Sequence, residues 1–426
     1  MSAEKQKDPI SQALRAEKEN IITLGTRLFQ CPEPGFQEVE SGKILASFLL
    51  QENIKVEKGI AFTGLKASIG KEGGYHIVLA ADMDALYVNQ GTGRYPFHSC
   101  GHSIQTSVMA YVLKILKDLQ IPEKTGGKVS FLATPAEEFI DFDYRNQLIK
   151  EGKIRYYSGK QNMIADGVFD DADCVISMHI NGETGTLFDV GSTLAGFLAK
   201  KVTFHGKASH SGAAPHLGRN ALHAASLCMN AIAFMKDQFA REDGVSIHPV
   251  LTSSGGSVNV IPEEVVMETY IRANTLEALL EASGKFDDCA IYSAKALGMT
   301  CTVEDKTGYM PLKQSDEINQ VIYENMRKIC PDEKIVKGVI SGASGDIGDL
   351  GYLLPCVQFG FSGMKGRIHS SEFEIVDEEN AYLYTAEVVL RTVKDILEDP
   401  KKQVRRKDYA QRKQFYLDNW LHAEKS

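Results

Sequence analysis

Apolar residues recur every three or four positions from Ile10 through Leu14, Ile21 and Leu24 to Leu28, the stripe of an amphipathic helix over residues 9–31. The run Cys31-Pro32-Glu33-Pro34-Gly35 ends it, since proline lacks the N–H a helix interior needs. A second amphipathic helix is expected from Glu38 to Glu52, followed by strands near 61–69 and 76–82. The later strand contains the unbroken run Ile77-Val78-Leu79-Ala80-Ala81, which suits a sheet covered on both faces. It ends in Asp82-Met83-Asp84, and a glycine-containing loop leads on to a helix over 103–120. Lys128 to Ala133 and Cys174 to Ile180 repeat the buried-strand pattern. Apolar strands separated by helices, with polar residues at the strand ends, predict a parallel α/β sheet.

The pattern changes at Phe197. Phe197 to His205 alternates as a half-exposed strand, and Arg219 to Ala240 reads as a long Ala-rich helix. Strands near 247–254 and 264–273, a helix at 276–297 and a strand at 299–305 complete a β-α-β-β-α-β unit of ferredoxin-like type. The α/β pattern then resumes with a helix at 315–330, a Gly-rich loop at 341–348, a strand at 356–360 and a helix at 376–398. The expected organisation is a first domain in two parts, 1–192 and 307–399, an insertion at 193–306 and a basic helical tail at 400–426. A chain of 426 residues is long enough for two or three domains. The tail carries Lys401, Lys402, Arg405, Arg406, Lys407, Arg412 and Lys413. It is expected to lie on the surface as a helix with a solvated basic face, with a partner-binding segment as the alternative.

Charge narrows the partners. Lys+Arg 47 against Asp+Glu 56 gives a net charge of −9, which argues against nucleic acid or an anionic membrane as the main partner. No apolar run is long enough to span a bilayer, and the stretch Met1 to Asp8 lacks a signal-peptide core. Eight cysteines without short disulfide-type spacing read as reduced thiols, so a cytoplasmic protein is expected.

The candidate chemistry lies at the strand ends. Cys100, His102, Glu138 and His179 each fall at or just beyond the C-terminal end of an expected strand, where α/β sheets collect ligands, and His369 follows the 356–360 strand. Singly, each has a plainer reading: a hydrogen-bonded core histidine, a small apolar cysteine, a solvated Glu-Glu pair. Together they form a mixed imidazole, carboxylate and thiolate set that suits zinc, manganese or cobalt. Five ligands exceed what one tetrahedral ion needs, and a pair of ions about 3.5–4 Å apart sharing a bridging group would use them all.

These residues stand in motifs: Ala81-Asp82-Met83-Asp84-Ala85-Leu86, His98-Ser99-Cys100-Gly101-His102, Pro135-Ala136-Glu137-Glu138, Gly206-Lys207-Ala208-Ser209-His210-Ser211-Gly212 and Asn259-Val260-Ile261-Pro262. With His179 and His369 they resemble, in order and over nearly the whole chain, the dinuclear-metal amidohydrolases. That family includes aminoacylases, auxin-conjugate hydrolases, aminobenzoyl-glutamate hydrolase subunits and related carboxypeptidases. The resemblance implies a zinc-peptidase-like α/β fold, a mixed sheet flanked by helices, with an inserted ferredoxin-like α+β dimerisation domain. It implies two divalent ions, zinc or manganese, held by Cys100, His102, Glu138, His179 and His369. Glu137 matches the general acid/base, Asp84 the acid that buttresses a ligand, and His210 the residue that closes over substrate and stabilises the oxyanion. Asn259 and Arg272 fall where the family binds the substrate's free carboxylate.

The implied activity is hydrolysis, through a metal-activated water, of an N-acyl or N-aroyl amino acid by a homodimer. The run Ser344-Gly345-Asp346-Ile347-Gly348-Asp349 points toward the aminobenzoyl-glutamate branch. A dipeptidase or aminopeptidase of the same fold is the alternative, and a catalytically idle binding relative the rival from another class. Three departures bear on substrate and metal preference. The family usually continues Cys-Gly-His-Asp with a further His soon after, where this chain has Ser103 and Gln105. A Pro commonly follows Asp-Met-Asp-Ala-Leu, where this chain has Tyr87.

Overall fold

The computed structural model describes residues 8–90, 93–181 and 185–421. They form two compact units. One comprises residues up to Ser192, Lys313–Ile340 and Asp349–Lys413; the other comprises Thr193–Leu312, Ser341–Gly348 and residues from Gln414.

In the first unit an eight-stranded sheet runs Val56–Ile60, Gly64–Gly70, Lys128–Thr134, His76–Asp82, Cys174–Ile180, Cys356–Phe361, Phe188–Val190, Ile335–Lys337. The four middle strands are parallel to one another, as their unbroken apolar runs require. Every residue of His76–Asp82 and Lys128–Thr134 is buried. The edges are antiparallel: Val56–Ile60 pairs with Gly64–Gly70 on one side, and Phe188–Val190 with Cys356–Phe361 on the other. The sheet is therefore mixed. Helices Pro9–Phe29, His102–Asp118 and Thr385–Glu398 pack together in its main apolar cluster, which includes Leu24, Val108 and Val393. Asp8 caps the first helix by accepting the Ser11 N–H at 3.2 Å.

The loop expected after Asp84 holds a hairpin, Leu86–Gln90 with Gly93–Phe97. Its signal was the alternation of Leu86 and Val88, both buried against Cys100, with polar or aromatic neighbours. The helix expected from 376 starts later, as a π-helical turn Glu379–Tyr384 that runs into Thr385–Glu398. Asp377 marks this start by accepting the Asn380 N–H at 3.1 Å.

The second unit has a fully antiparallel sheet ordered Thr300–Thr307, Gly196–His205, Glu264–Ala273, with Ser246–Ile247 and Val250–Ser253 both pairing the last of these. Helices Ala221–Met235 and Leu276–Ala296 pack on each other and on this sheet. Their starts are fixed by Asn220, which accepts the Leu222 N–H at 2.9 Å, and Thr275, which accepts the Ala278 N–H at 3.2 Å. The strand order is that of a ferredoxin-like unit.

The tail keeps part of the expected solvated basic face, with Lys401, Arg405, Lys407 and Arg412 exposed, yet several of its basic groups are engaged. Arg405 pairs with Asp173 at 3.1 Å, Arg406 donates to the Asp170 carbonyl, and Lys413 pairs with Asp170 at 2.6 Å. The Tyr409 hydroxyl adds a bond to Asp170 at 2.8 Å. Arg405, Arg406 and Lys413 thus meet the acidic turn at 170–173, while Lys402 pairs with Asp395 at 3.7 Å. Residues 422–426 of the tail lie outside the described residues.

Lys160 and Asp82, 1% and 2% exposed, form an ion pair under the sheet's C-terminal edge, with the Thr134 hydroxyl also donating to Asp82. Burial would raise the Asp82 carboxyl, but the Lys160 charge overrides it and holds the carboxyl below its usual range. Lys160→Ala would strand that carboxylate without its cation. The expected cost is about 3–5 kcal/mol of unfolding free energy, read from urea denaturation; a loss below about 1 kcal/mol, the range of an exposed pair, would show that the charge is not held there.

Candidate metal centre

The C-terminal ends of the parallel strands open on one edge of the sheet. The ladder between His76–Asp82 and Cys174–Ile180 stops at the pair Leu79–Ile176. Past it, Gln105 spans the gap. Its Oε1 accepts the Asp82 N–H at 2.9 Å, and its Nε2 donates to the Met178 carbonyl at 2.6 Å and the Ser177 hydroxyl at 3.1 Å. Ser177 in turn donates to the Ala80 carbonyl at 3.0 Å. One buried amide thus replaces ladder bonds between the strands that lead to Asp84 and His179.

His102 is the first residue of helix His102–Asp118, and Gly101 before it has φ +77°. A Cβ at Gly101 would come within 2.3 Å of Ile180 Cγ2, so only glycine lets this turn close on the neighbouring strand. The His102 Nδ1 donates to the Asp84 carbonyl at 2.8 Å, with the Asp84 carboxylate at 3.4 Å. His179 Nδ1 donates to the Ile180 carbonyl at 3.0 Å. Both rings therefore keep Nε2 as the lone-pair nitrogen, the arrangement that orients a metal-ligating imidazole. Asp84 also accepts the Glu138 N–H at 3.0 Å, so one buried carboxylate holds two candidate ligands in register.

His369 reaches the cluster from its loop in a left-handed conformation, φ +63°, its N–H bonded to the Ser99 carbonyl at 3.1 Å. Its Nε2 is 3.3 Å from Cys100 Sγ and 3.3 Å from Glu138 Oε1. Cys100 Sγ is also 3.3 Å from His179 Nε2. The structure thus brings together all five expected ligands. Among the described residues, three sets have ligand atoms within 4.8 Å of one another: Cys100, His102 and His179; Cys100, Glu138 and His369; His102, Glu137 and Glu138. Cys100 belongs to the first two. Glu137 joins the third, with Oε2 3.9 Å from His102 Nε2, so distance alone does not divide the two glutamates into ligand and base.

The electrostatics suit cations. Burial and the Glu138 charge would raise the Cys100 thiol, yet His179 and His102 draw it down to about 6. Burial would also raise Glu138, but His369 and His102 hold it below its usual range. Contacts with Cys100 and Glu138 push His369 up to about 11. His102 and His179 are raised against their burial, chiefly by Cys100. The acids favour their charged forms, and the same anions that draw a proton toward the imidazoles would draw a metal ion to their Nε2 atoms. His102 Nε2 is buried with no hydrogen-bond partner, and Glu138 Oε1 has the His369 ring, 3.3 Å away, as its neighbour in the cluster. A buried nitrogen is costly to leave unmet, and a divalent ion meets that need.

His98, beside the site and fully buried, is pushed down to about 3 by burial and by His102, which fits a neutral structural ring. Ser103 is buried, its hydroxyl without a hydrogen-bond partner. Tyr87 carries the Arg94 guanidinium 4.0 Å above its ring. Three expected site residues belong to the second unit. His210 Nδ1 accepts the N–H groups of Gly212 and Ala213 at 3.2 and 3.0 Å. Asn259 accepts the Ser257 hydroxyl on Oδ1, and the Ser211 N–H at 3.0 Å on its carbonyl. Arg272 donates to the Ser344 hydroxyl at 2.7 Å and the Gly342 carbonyl at 3.1 Å, its guanidinium 5.6 and 5.7 Å from the Phe197 and Tyr270 rings.

Sequence reading missed Glu38, Arg145 and Lys160, all buried close to the acid-bearing loops. A charge inside an unremarkable helix or loop gives no sign of its burial.

A mixed sheet whose strand ends gather thiolate, imidazole and carboxylate groups is suited to divalent metal, and the match to known proteins makes the chain a metal-dependent hydrolase of amide bonds. Residues 78–395 match peptidase family M20/M25/M40, and the chain belongs to that family. It is 28% identical over 341 residues to the human (Homo sapiens) Xaa-Arg dipeptidase, covering 76% of this chain and 70% of that protein. It is 30% identical over 278 residues to one of the p-aminobenzoyl-glutamate hydrolase subunits of Escherichia coli, covering 62% of this chain and 53% of that protein. A dinuclear metal-binding M20 peptidase from Bacillus subtilis shares the fold, with a TM-score of 0.70 at 19% identity over 90% of this chain and 99% of that one.

Restoring zinc or manganese to chelator-stripped protein should raise its melting temperature. The gain is about 2.7 kcal/mol when free metal is a hundredfold above Kd. Cys100→Ala should lower both this gain and the metal bound at saturation, measured by elemental analysis. Undiminished metal content in the variant would remove Cys100 from the ligand set.

Proposed function

We propose that the protein hydrolyses the amide bond of a small N-acyl or N-aroyl amino acid with a free carboxylate, in the manner of p-aminobenzoyl-glutamate. The observation that carries this reading is the convergence of Cys100, His102, Glu138, His179 and His369, with Glu137 beside them. Those five residues would hold two divalent ions, zinc or manganese. When bound, the ions polarise the amide carbonyl and acidify water.

The chain's own groups do the rest. Glu137 accepts the proton of the attacking water and passes it to the departing amine nitrogen. Asp84 keeps the His102 ring and the Glu138 main chain in place while this happens. An Nδ1 that accepts two N–H groups carries no proton, so the His210 ring presents an Nε2–H. That donor is suited to the oxyanion that develops on the substrate carbonyl. Arg272 offers a planar guanidinium fork to the substrate carboxylate, and Asn259 an amide. The second unit would act as the lid and as the contact between two copies in a homodimer.

A dipeptide is the second reading, supported by the likeness to the Xaa-Arg dipeptidase. The two relatives differ in the substrates they are named for and are similarly close, so overall identity does not choose between them. Parallel assays of N-aroyl-glutamates, N-acyl amino acids and dipeptides under each metal decide. Faster turnover of dipeptides with a basic C-terminal residue would favour the second reading. Hydrolysis that ignores chelation would defeat both.

Glu137→Gln should lower kcat about 10²–10⁴-fold, the usual worth of a positioned acid/base, with bound metal unchanged; near-normal turnover would mean that another group moves the proton. His210→Ala should lower kcat by about 10²–10³-fold, as loss of an oxyanion donor does, with folding and metal intact. A variant that loses its metal instead would place His210 among the ligands.

A further inference from the structure

Residues 33–38 precede the family-matched region, and the reading above gives them no role. They are nevertheless tied to both acid-bearing loops. The Ala85 N–H, one residue past Asp84, donates to the Glu33 carbonyl at 2.8 Å, and Pro34 bridges Ala85 in parallel. Glu38, with 0% of its surface exposed, accepts the Ala136 N–H on Oε1 at 2.9 Å and the Thr63 hydroxyl on Oε2 at 2.6 Å.

Ala136 directly precedes Glu137. It is buried, with φ +54°, a left-handed conformation that a residue with a Cβ adopts only when its surroundings impose it. Gly35 makes the close packing possible: a Cβ there would lie 2.8 Å from Ala136 Cα and 2.7 Å from Arg145 Nη2. Arg145, also fully buried, donates to the Glu138 carbonyl and, at 2.6 Å, to the Tyr157 carbonyl. The main chain is therefore pinned on both sides of Glu137, by a buried carboxyl before it and a buried guanidinium after it.

We infer that Glu38 is a positioning residue for Glu137: its hydrogen bond to the Ala136 N–H fixes the left-handed turn that sets where the Glu137 carboxylate points. The inference rests on the reading of Glu137 as the acid/base. A carboxyl that merely stabilised the fold would change the fraction of folded protein, not the turnover of what is folded. A carboxyl that aims Glu137 changes kcat and leaves substrate affinity and metal alone, because the five ligands do not bond to it.

The test compares full-length wild type, Glu38→Ala, Glu38→Gln and Thr63→Val, all metal-loaded, using the best substrate from the panel. Glu38→Ala is expected to lower kcat by about 10²-fold, the usual effect of a 1 Å misplacement, with KM and bound metal unchanged. Glu38→Gln keeps an acceptor for the Ala136 N–H and should restore most of that loss. Wild-type kcat in Glu38→Ala, or equal losses in the Ala and Gln variants, would overturn the inference. If Glu38→Ala does not fold, Thr63→Val, which removes the other hold on the carboxyl, should lower kcat several-fold, and an unchanged kcat there overturns it. Hydrogen–deuterium exchange at residues 134–140 needs no turnover and should quicken in Glu38→Ala and Thr63→Val. Unchanged protection overturns the positioning role even if wild type cleaves none of the panel, a result that by itself defeats only the functional reading.

Discussion

A thiol, two carboxylates and three imidazoles share one small space at the ends of a parallel sheet, and burial opposes charge on Cys100, Glu138, His102, His179 and His369. Neighbours nevertheless outweigh burial: Cys100 and Glu138 are drawn toward their anions, and those anions in turn raise the affinity of His102, His179 and His369 for a positive charge. Water cannot supply this compensation to the buried members, Cys100 and His102, although His369 stays half-exposed. The rest of the first unit can be understood as the means of keeping these groups together despite that cost. Parallel strands deliver them to one edge, a helix starts on His102, and a left-handed residue turns His369 inward.

Asp84 shows how few supports are needed when each serves twice. Its carbonyl sets the tautomer of His102, while its carboxylate holds the main chain of Glu138. Gln105 does comparable work one layer below. The strands carrying Asp82 and His179 part at the edge of the site, and a buried amide meets main-chain groups on both of them. The amide at position 105 thus serves as a bridge within the sheet. Lys160 and Asp82 lie beneath as a buried ion pair of opposite sign, which adds no net charge to the floor of the site.

The fold was legible wherever a residue's chemistry and its period agreed. The runs Ile77–Ala81 and Cys174–Ile180 are apolar without interruption and form central strands, and the alternation after Phe197 forms an antiparallel sheet. The five candidate ligands were legible because histidine, cysteine and glutamate at strand ends form a recognisable set. Short strands such as Phe188–Val190 and Ile335–Lys337 were not, since three residues are too few to show a period. The basic tail was legible only in part. A cluster of lysines and arginines looks solvated until its acidic complement at Asp170 and Asp173 is brought beside it by the fold.

The supports of the site stayed hidden for a more general reason. Glu38, Arg145 and Gln105 act mainly on main-chain N–H and C=O groups, which every residue but proline possesses in full. A metal ligand must be one of a few residue types, so its identity betrays its task. A group that holds a backbone amide needs only an acceptor or donor in the right place, and nothing at position 136 or 138 announces what meets it. Such residues can be found only after the fold has shown which main-chain atoms are buried and need partners. They also couple distant segments: an N-terminal turn outside the matched region helps set the loop that carries Glu137 and Glu138. Constraint on the chemistry therefore extends further along the chain than the ligands do, and substitutions at these buried, unremarkable positions reach the site through the backbone.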